Sequence, residues 1–168
     1  MDHARLRHVT HPSLGLPPID RTSDLPPVAA RIDATRERLA ARALEIALDR
    51  DPSLRVRHDE YAVRRLLRDA AALIDRVVEA IAAGDPEPAR SFAEAVPPMY
   101  RRRKVPMNDL ILLADSVRAA IGATLARTEM PIVDAAVDAM IERFRWHGRI
   151  AGDGRRRNRL LAAIYKGA

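Results

Sequence analysis

The chain of 168 residues is 48% hydrophobic, enough for one buried core, and two independent domains of this total length would each be marginal. It has no cysteine, which excludes disulfides, thiolate metal sites, cysteine nucleophiles and thioether-linked haem or bilin. Its net charge of +6 is compatible with acidic, anionic-lipid or nucleic-acid partners, and with Lys104 and Lys166 the only lysines, almost all positive charge is arginine, which genomic codon bias explains as readily as phosphate binding.

Residues 1–24 contain Pro12, Gly15, Pro17 and Pro18 without apolar periodicity, and read as a flexible or wrapping N-terminal arm. Residues 25–168 read as a single helical domain. The arm lacks an apolar run of signal-peptide length, and no stretch approaches the ~18 apolar residues of a membrane span, so a cytoplasmic protein without membrane insertion is expected. His3, His8 and His11 are ligand-type residues, but structural metal sites hold four ligands on a folded frame, and these three read as a solvated tail.

Asp24 is placed to cap a first helix on Val28, Ile32, Leu39, Ala43 and Ile46, from Pro26 to about Asp49 before the Asp51-Pro52 break. Asp59 reads as the N-cap of a second helix with the stripe Val63, Leu66, Leu67, Ala70, Leu73, Ile74, Val77 and Ile81, closed by Gly84 at the C′ position. A short helix follows from about Glu87 to Ala95, ended or kinked by Pro97-Pro98, with another turn through Met99 and Tyr100. Pro106 opens a fourth long helix carrying Met107, Leu110, Ile111, Ala114, Val117, Ile121 and Leu125 to near Thr128. Pro131 starts a fifth on Ile132, Val133, Ala136, Val137, Met140, Ile141 and Phe144, weakened at Gly152-Asp153-Gly154, and a last helix holds Leu160, Leu161, Ile164 and Tyr165. No segment alternates like a strand. The expected fold is all-α, a four- to six-helix bundle or a globin-like helical domain.

The motif inventory points away from catalysis. Glu-x-x-His pairs, His-Glu-x-x-His, Gly-x-Ser-x-Gly, the P-loop and Gly-x-Gly-x-x-Gly are all missing from the sequence. The carboxylates Glu37, Glu45, Asp75, Glu79, Asp115, Asp134, Asp138 and Glu142 are dispersed along helix faces, each with arginine, lysine or solvent in reach. No enzyme and no resident cofactor are expected. A haem-bound alternative needs His58 or His147 as its axial ligand.

Two basic clusters stand out: Tyr100-Arg101-Arg102-Arg103-Lys104, and the series Arg143, Arg145, Arg149, Arg155, Arg156, Arg157 and Arg159, interleaved with Trp146 and His147. Guanidinium forks bind carboxylate and phosphate oxygens bidentately, so both clusters are candidate contacts for a protein partner or a nucleic acid. The arginines also suit the negative end of one helix, and Pro106 preorganises the first turn of the next.

The run Tyr100-Arg101-Arg102-Arg103-Lys104-Val105-Pro106-Met107-Asn108-Asp109-Leu110-Ile111 resembles a pattern in bacterial sensory bundles: arginines, a small residue, Val-Pro-Leu, then an acidic residue and leucines. It is similar to the N-terminal domains of stressosome co-antagonist proteins of the RsbR and RsbRD type, and to the bundle preceding the output domain of PucR-like regulators. Lys104 stands where that pattern often has glycine, and Met107 where leucine is usual. The resemblance spans roughly residues 28 to 145 and implies a stand-alone signal-input module without an output domain. The expected function is that of a non-enzymatic regulatory or sensory module of bacterial signalling, acting through protein or small-effector binding, as a homodimer or with a protein partner. The alternatives are a basic nucleic-acid-binding accessory protein, and a haem-binding or other cofactor-binding globin-like sensor.

Overall fold

The computed structural model describes residues 25–157, with side chains described through Ile150. Its helices are α1 (Pro27–Ala34), α2 (Arg36–Arg50), α3 (Leu54–Arg57), α4 (Glu60–Ala83), α5 (Glu87–Ala95), α6 (Pro97–Arg102), α7 (Met107–Gly122) and α8 (Met130–Arg157), with a 3₁₀ turn at Arg127–Glu129. Among the described residues there is no strand, and the fold is an all-α helical bundle. The expected arm, its histidines, Asp24, and the last helix with Leu160 to Tyr165 lie outside the described residues.

The long helices α2, α4, α7 and α8 form the body: α2 packs on α4 and α7, α7 on α8, and α8 on α4. Helix α5 lies against α4 and α8, and α1 against α4. Alanines at 29, 40, 43, 70, 114, 120 and 136 are buried, letting backbones approach closely around Leu73, Ile74, Leu110, Val117, Met140 and Phe144. Fully burying one of these large side chains contributes roughly 1.5–3 kcal/mol, so the apolar stripes hold the short-helix connections in place.

Several boundaries follow the local chemistry read from the sequence. Asp59 Oδ1 accepts from the Ala62 amide at 2.7 Å, and Gly84 closes α4 at φ +65°. Helix α5 has the expected span, and Pro97 starts a new helix. Others differ. The expected first helix is two, because the Thr35 hydroxyl donates back to the Arg31 and Ile32 carbonyls at 2.9 and 3.3 Å and the chain turns there. Helix α7 stops at Gly122 rather than near Thr128, with the Thr124 hydroxyl donating to the Ile121 carbonyl at 2.8 Å. Gly152 and Gly154 do not break α8. Each glycine costs a helix only about 1 kcal/mol, less than the proline that does break one. The single turn α3 was not anticipated; Asp51 nucleates it by accepting from the Ser53 amide at 3.1 Å.

Candidate functional site: a basic groove beside the α6–α7 junction

The junction is built from inside outward. Helix α6 ends in a Schellman turn, with the Lys104 amide donating to the Arg101 carbonyl and the Val105 amide to the Tyr100 carbonyl, both at 3.0 Å. This turn demands a left-handed residue, and Lys104 supplies it at φ +58°, at about 1–2 kcal/mol more strain than glycine. Val105 and Met107 then fold inward, while Pro106 sets the entry to α7.

Two buried carboxylates anchor this junction. Asp69 of α4 accepts from both terminal nitrogens of Arg103, at 2.9 and 2.7 Å, and the guanidinium lies 5.0 Å from the Tyr100 ring centre. Tyr100 is 1% exposed. Burial, then the negative charge of Asp69, push its phenol well above the ordinary value, and Asp69 raises the Arg103 pKa. Asp109, in the first turn of α7, accepts from Arg57 at 2.9 Å and meets His58 Nε2 at 2.6 Å, with both His58 and Asp109 buried. Arg57 also donates to Asp51 at 2.7 Å; that contact, with help from Ser53, holds the Asp51 carboxyl below the usual carboxylate range.

With Arg103 and Tyr100 turned inward, Arg101, Arg102 and Lys104 are the members of the first basic cluster left exposed. Across from them, Gly148 brings α8 against Met107: a Cβ at that position would sit 3.5 Å from Met107 Cβ. Between the two walls runs a groove of about 1080 Å³. Its floor is Val105, Pro106, Met107 and Ile150, and its rim carries Arg101, Lys104, Arg145 and Arg149. The two clusters, far apart in sequence, therefore meet.

Elsewhere many arginines are matched, as the dispersed carboxylates suggested: Arg36 with Glu37 and Asp75, Arg42 with Glu45, Arg50 with Asp115, Arg76 with Glu79, and Arg118 with Asp115, Asp134 and Asp138, whereas Arg38, Arg55, Arg65, Arg68, Arg102 and Arg127 are scattered cations without an acidic partner among the described residues. Among the described residues the four rim cations have no acidic partner, and no carboxylate lines the groove. A neighbouring cavity of about 520 Å³ shares Arg145 and Arg149 but also contains Asp138 and Glu142, so its charge is mixed. The lining of the basic groove has no imidazole, carboxylate or hydroxyl; it offers charge and apolar contact rather than neutral-pH proton transfer.

Of the other candidates, Trp146 is 40% exposed and meets the His147 ring edge-on at 4.7 Å, outside the groove lining. His58 Nε2 is taken by Asp109 at 2.6 Å, whereas His147 Nε2 is buried, 3.5 Å from Glu94 and without a hydrogen-bond partner among the described residues. Arg155, Arg156 and Arg157 occupy the last turn of α8, with their side chains outside the described set, and Arg159 lies beyond the described residues. Sequence reasoning missed Asp69, Asp109 and Arg57. A signal was present: Asp69 falls between Leu66 and Leu73 on an apolar stripe, and Asp109 shares a helical face with Leu113, positions where a carboxylate implies a buried partner.

No family model and no curated protein matches the chain.

Proposed function

We propose that the chain is a cytoplasmic, non-enzymatic regulatory module of bacterial signalling that recognises a partner through the groove between the α6–α7 junction and α8. The observation that carries this reading is the convergence of Arg101, Lys104, Arg145 and Arg149, unmatched by described carboxylates, over an apolar floor. The bacterial-signalling part rests on the resemblance of the Tyr100–Ile111 segment, whose residues build one wall of the groove. Charge at the rim gives on-rate and specificity, and the floor gives desolvated contact. Among the described residues no helix is long and apolar enough to cross a membrane.

The test is a photo-reactive residue at Asn108, inside the groove, in living cells. A discrete adduct with another protein, lost when Arg145 and Arg149 are changed to Glu, is the expected result. Adducts insensitive to that charge reversal, or no adduct, contradict the reading.

Self-association is a second arrangement of the same module, favoured by Trp146 and Ile150, one turn apart on α8 and 40% and 48% exposed. Light scattering on Trp146→Ala should then show a weakened dimer. A strict monomer for the unaltered protein at micromolar concentration removes this arrangement.

A further inference from the structure

Resting on that reading, we infer that the groove takes an acidic amphipathic segment of another protein. Its apolar side chains sit on Val105, Met107 and Ile150, and its carboxylates reach Arg101, Arg145 and Arg149.

Three observations select this occupant. The rim is cationic without described counter-charges, so it asks for an anion, and guanidinium forks suit carboxylates. Its floor is apolar, which a phosphodiester backbone leaves unused; moreover, no aromatic side chain lines the groove as a stacking platform for bases. Finally, its volume of about 1080 Å³ lies just above the roughly 300–1,000 Å³ typical of small-molecule pockets, which favours a chain segment over a small effector.

The occupant comes from outside this chain. Residues 1–24 balance Asp2, Asp20 and Asp24 against Arg5, Arg7 and Arg21, and residues 158–168 contain Arg159 and Lys166 with no carboxylate. Neither segment complements the rim. Most described carboxylates of a second copy are already matched to its own arginines, as Asp75, Asp115 and Asp138 are here, and the unmatched Asp33, Asp49 and Glu142 are dispersed over separate helices rather than gathered on one segment.

The walls are preorganised. Arg103–Asp69 ties one end of the junction to α4, His58 and Arg57 tie Asp109 of α7, and Gly148 seats α7 on α8. Little ordering is then needed on this side when the partner docks, and a groove held open in this way reads helical anchors at successive turns.

The experiment uses the full chain and a fluorescent peptide with leucines at helical spacing flanked by glutamates, read by anisotropy. A single-stranded oligonucleotide and anionic vesicles serve as rival probes. The glutamate peptide should bind, tenfold or more weaker for Arg145→Glu/Arg149→Glu, and several-fold weaker for Ile150→Ser. Tighter binding of the oligonucleotide or the vesicles overturns the inference, as does peptide binding indifferent to Ile150→Ser. If cross-linking at Asn108 still captures a charge-dependent partner while the peptide fails, the acidic segment is wrong and the partner-binding reading stands. If both fail, both fall.

Discussion

Arg103, at the end of α6, grips Asp69 of α4 through both terminal guanidinium nitrogens, and so the most conspicuous arginine run in the sequence is divided between structure and surface. Arg103 holds the junction; Arg101 and Lys104 face the groove. Removing one partner leaves the other charge buried and unmatched. Asp69→Leu alone should therefore destabilise the protein by about 3 kcal/mol or more, and Asp69→Leu combined with Arg103→Met by clearly less, as chemical denaturation of the two singles and the double will show. Additive losses would mean that the pair is not coupled.

The second anchor predicts a local effect. Asp109→Ala deprives His58 and Arg57 of their shared acceptor, at an expected cost of about 2–3 kcal/mol. Because Asp109 lies in the first turn of α7, amide exchange should accelerate at Met107 to Leu110 before it does in the middle of α4. Uniform acceleration would contradict this placement.

Lys104 sits where a left-handed conformation is required, beside the cationic rim. Lys104→Gly removes about 1–2 kcal/mol of strain and adds roughly 0.5–1 kcal/mol of unfolded-chain entropy, for a net stabilisation of about 0.5–1 kcal/mol. The same change deletes a groove cation. A variant more stable to urea and weaker toward acidic peptide is the expected outcome, and one that melts earlier contradicts the strain.

Tyr100 gives the pH dependence. Burial and the Asp69 carboxylate raise its folded pKa, so its stabilising contribution is complete below the ordinary phenol value of about 10 and is lost as pH climbs beyond it. Stability should fall by up to about 1.4 kcal/mol per pH unit in that alkaline range, and Tyr100→Phe should flatten the slope. Equal slopes for both proteins would show that Tyr100 is not the group responsible.

Much of the bundle was legible because helical periodicity and caps act locally. Asp59 and Gly84 end α4 through their own side chain and φ angle, and Leu66, Ala70, Leu73 and Val77 face inward as their spacing demands. The groove was only half legible. Arg101 and Arg145 were both conspicuous, but their meeting depends on Gly148 seating α7 against α8, a tertiary contact with no local trace. Arg103 looked like its neighbours in sequence; only the opposing Asp69 on α4 distinguishes it. The break of the expected first helix at Thr35 was not legible, because a single hydroxyl bonding back to the chain outweighs an otherwise continuous stripe.

Backbone amide shifts of the nitrogen-15-labelled chain, followed as an acidic amphipathic peptide is added, test partner recognition through this groove most directly. Shifts confined to the segments from Arg101 to Asn108 and from Arg145 to Ile150, abolished by Arg145→Glu/Arg149→Glu, are the result expected. Shifts centred on α2 or the exposed face of α4, or spread evenly over the bundle, would contradict it.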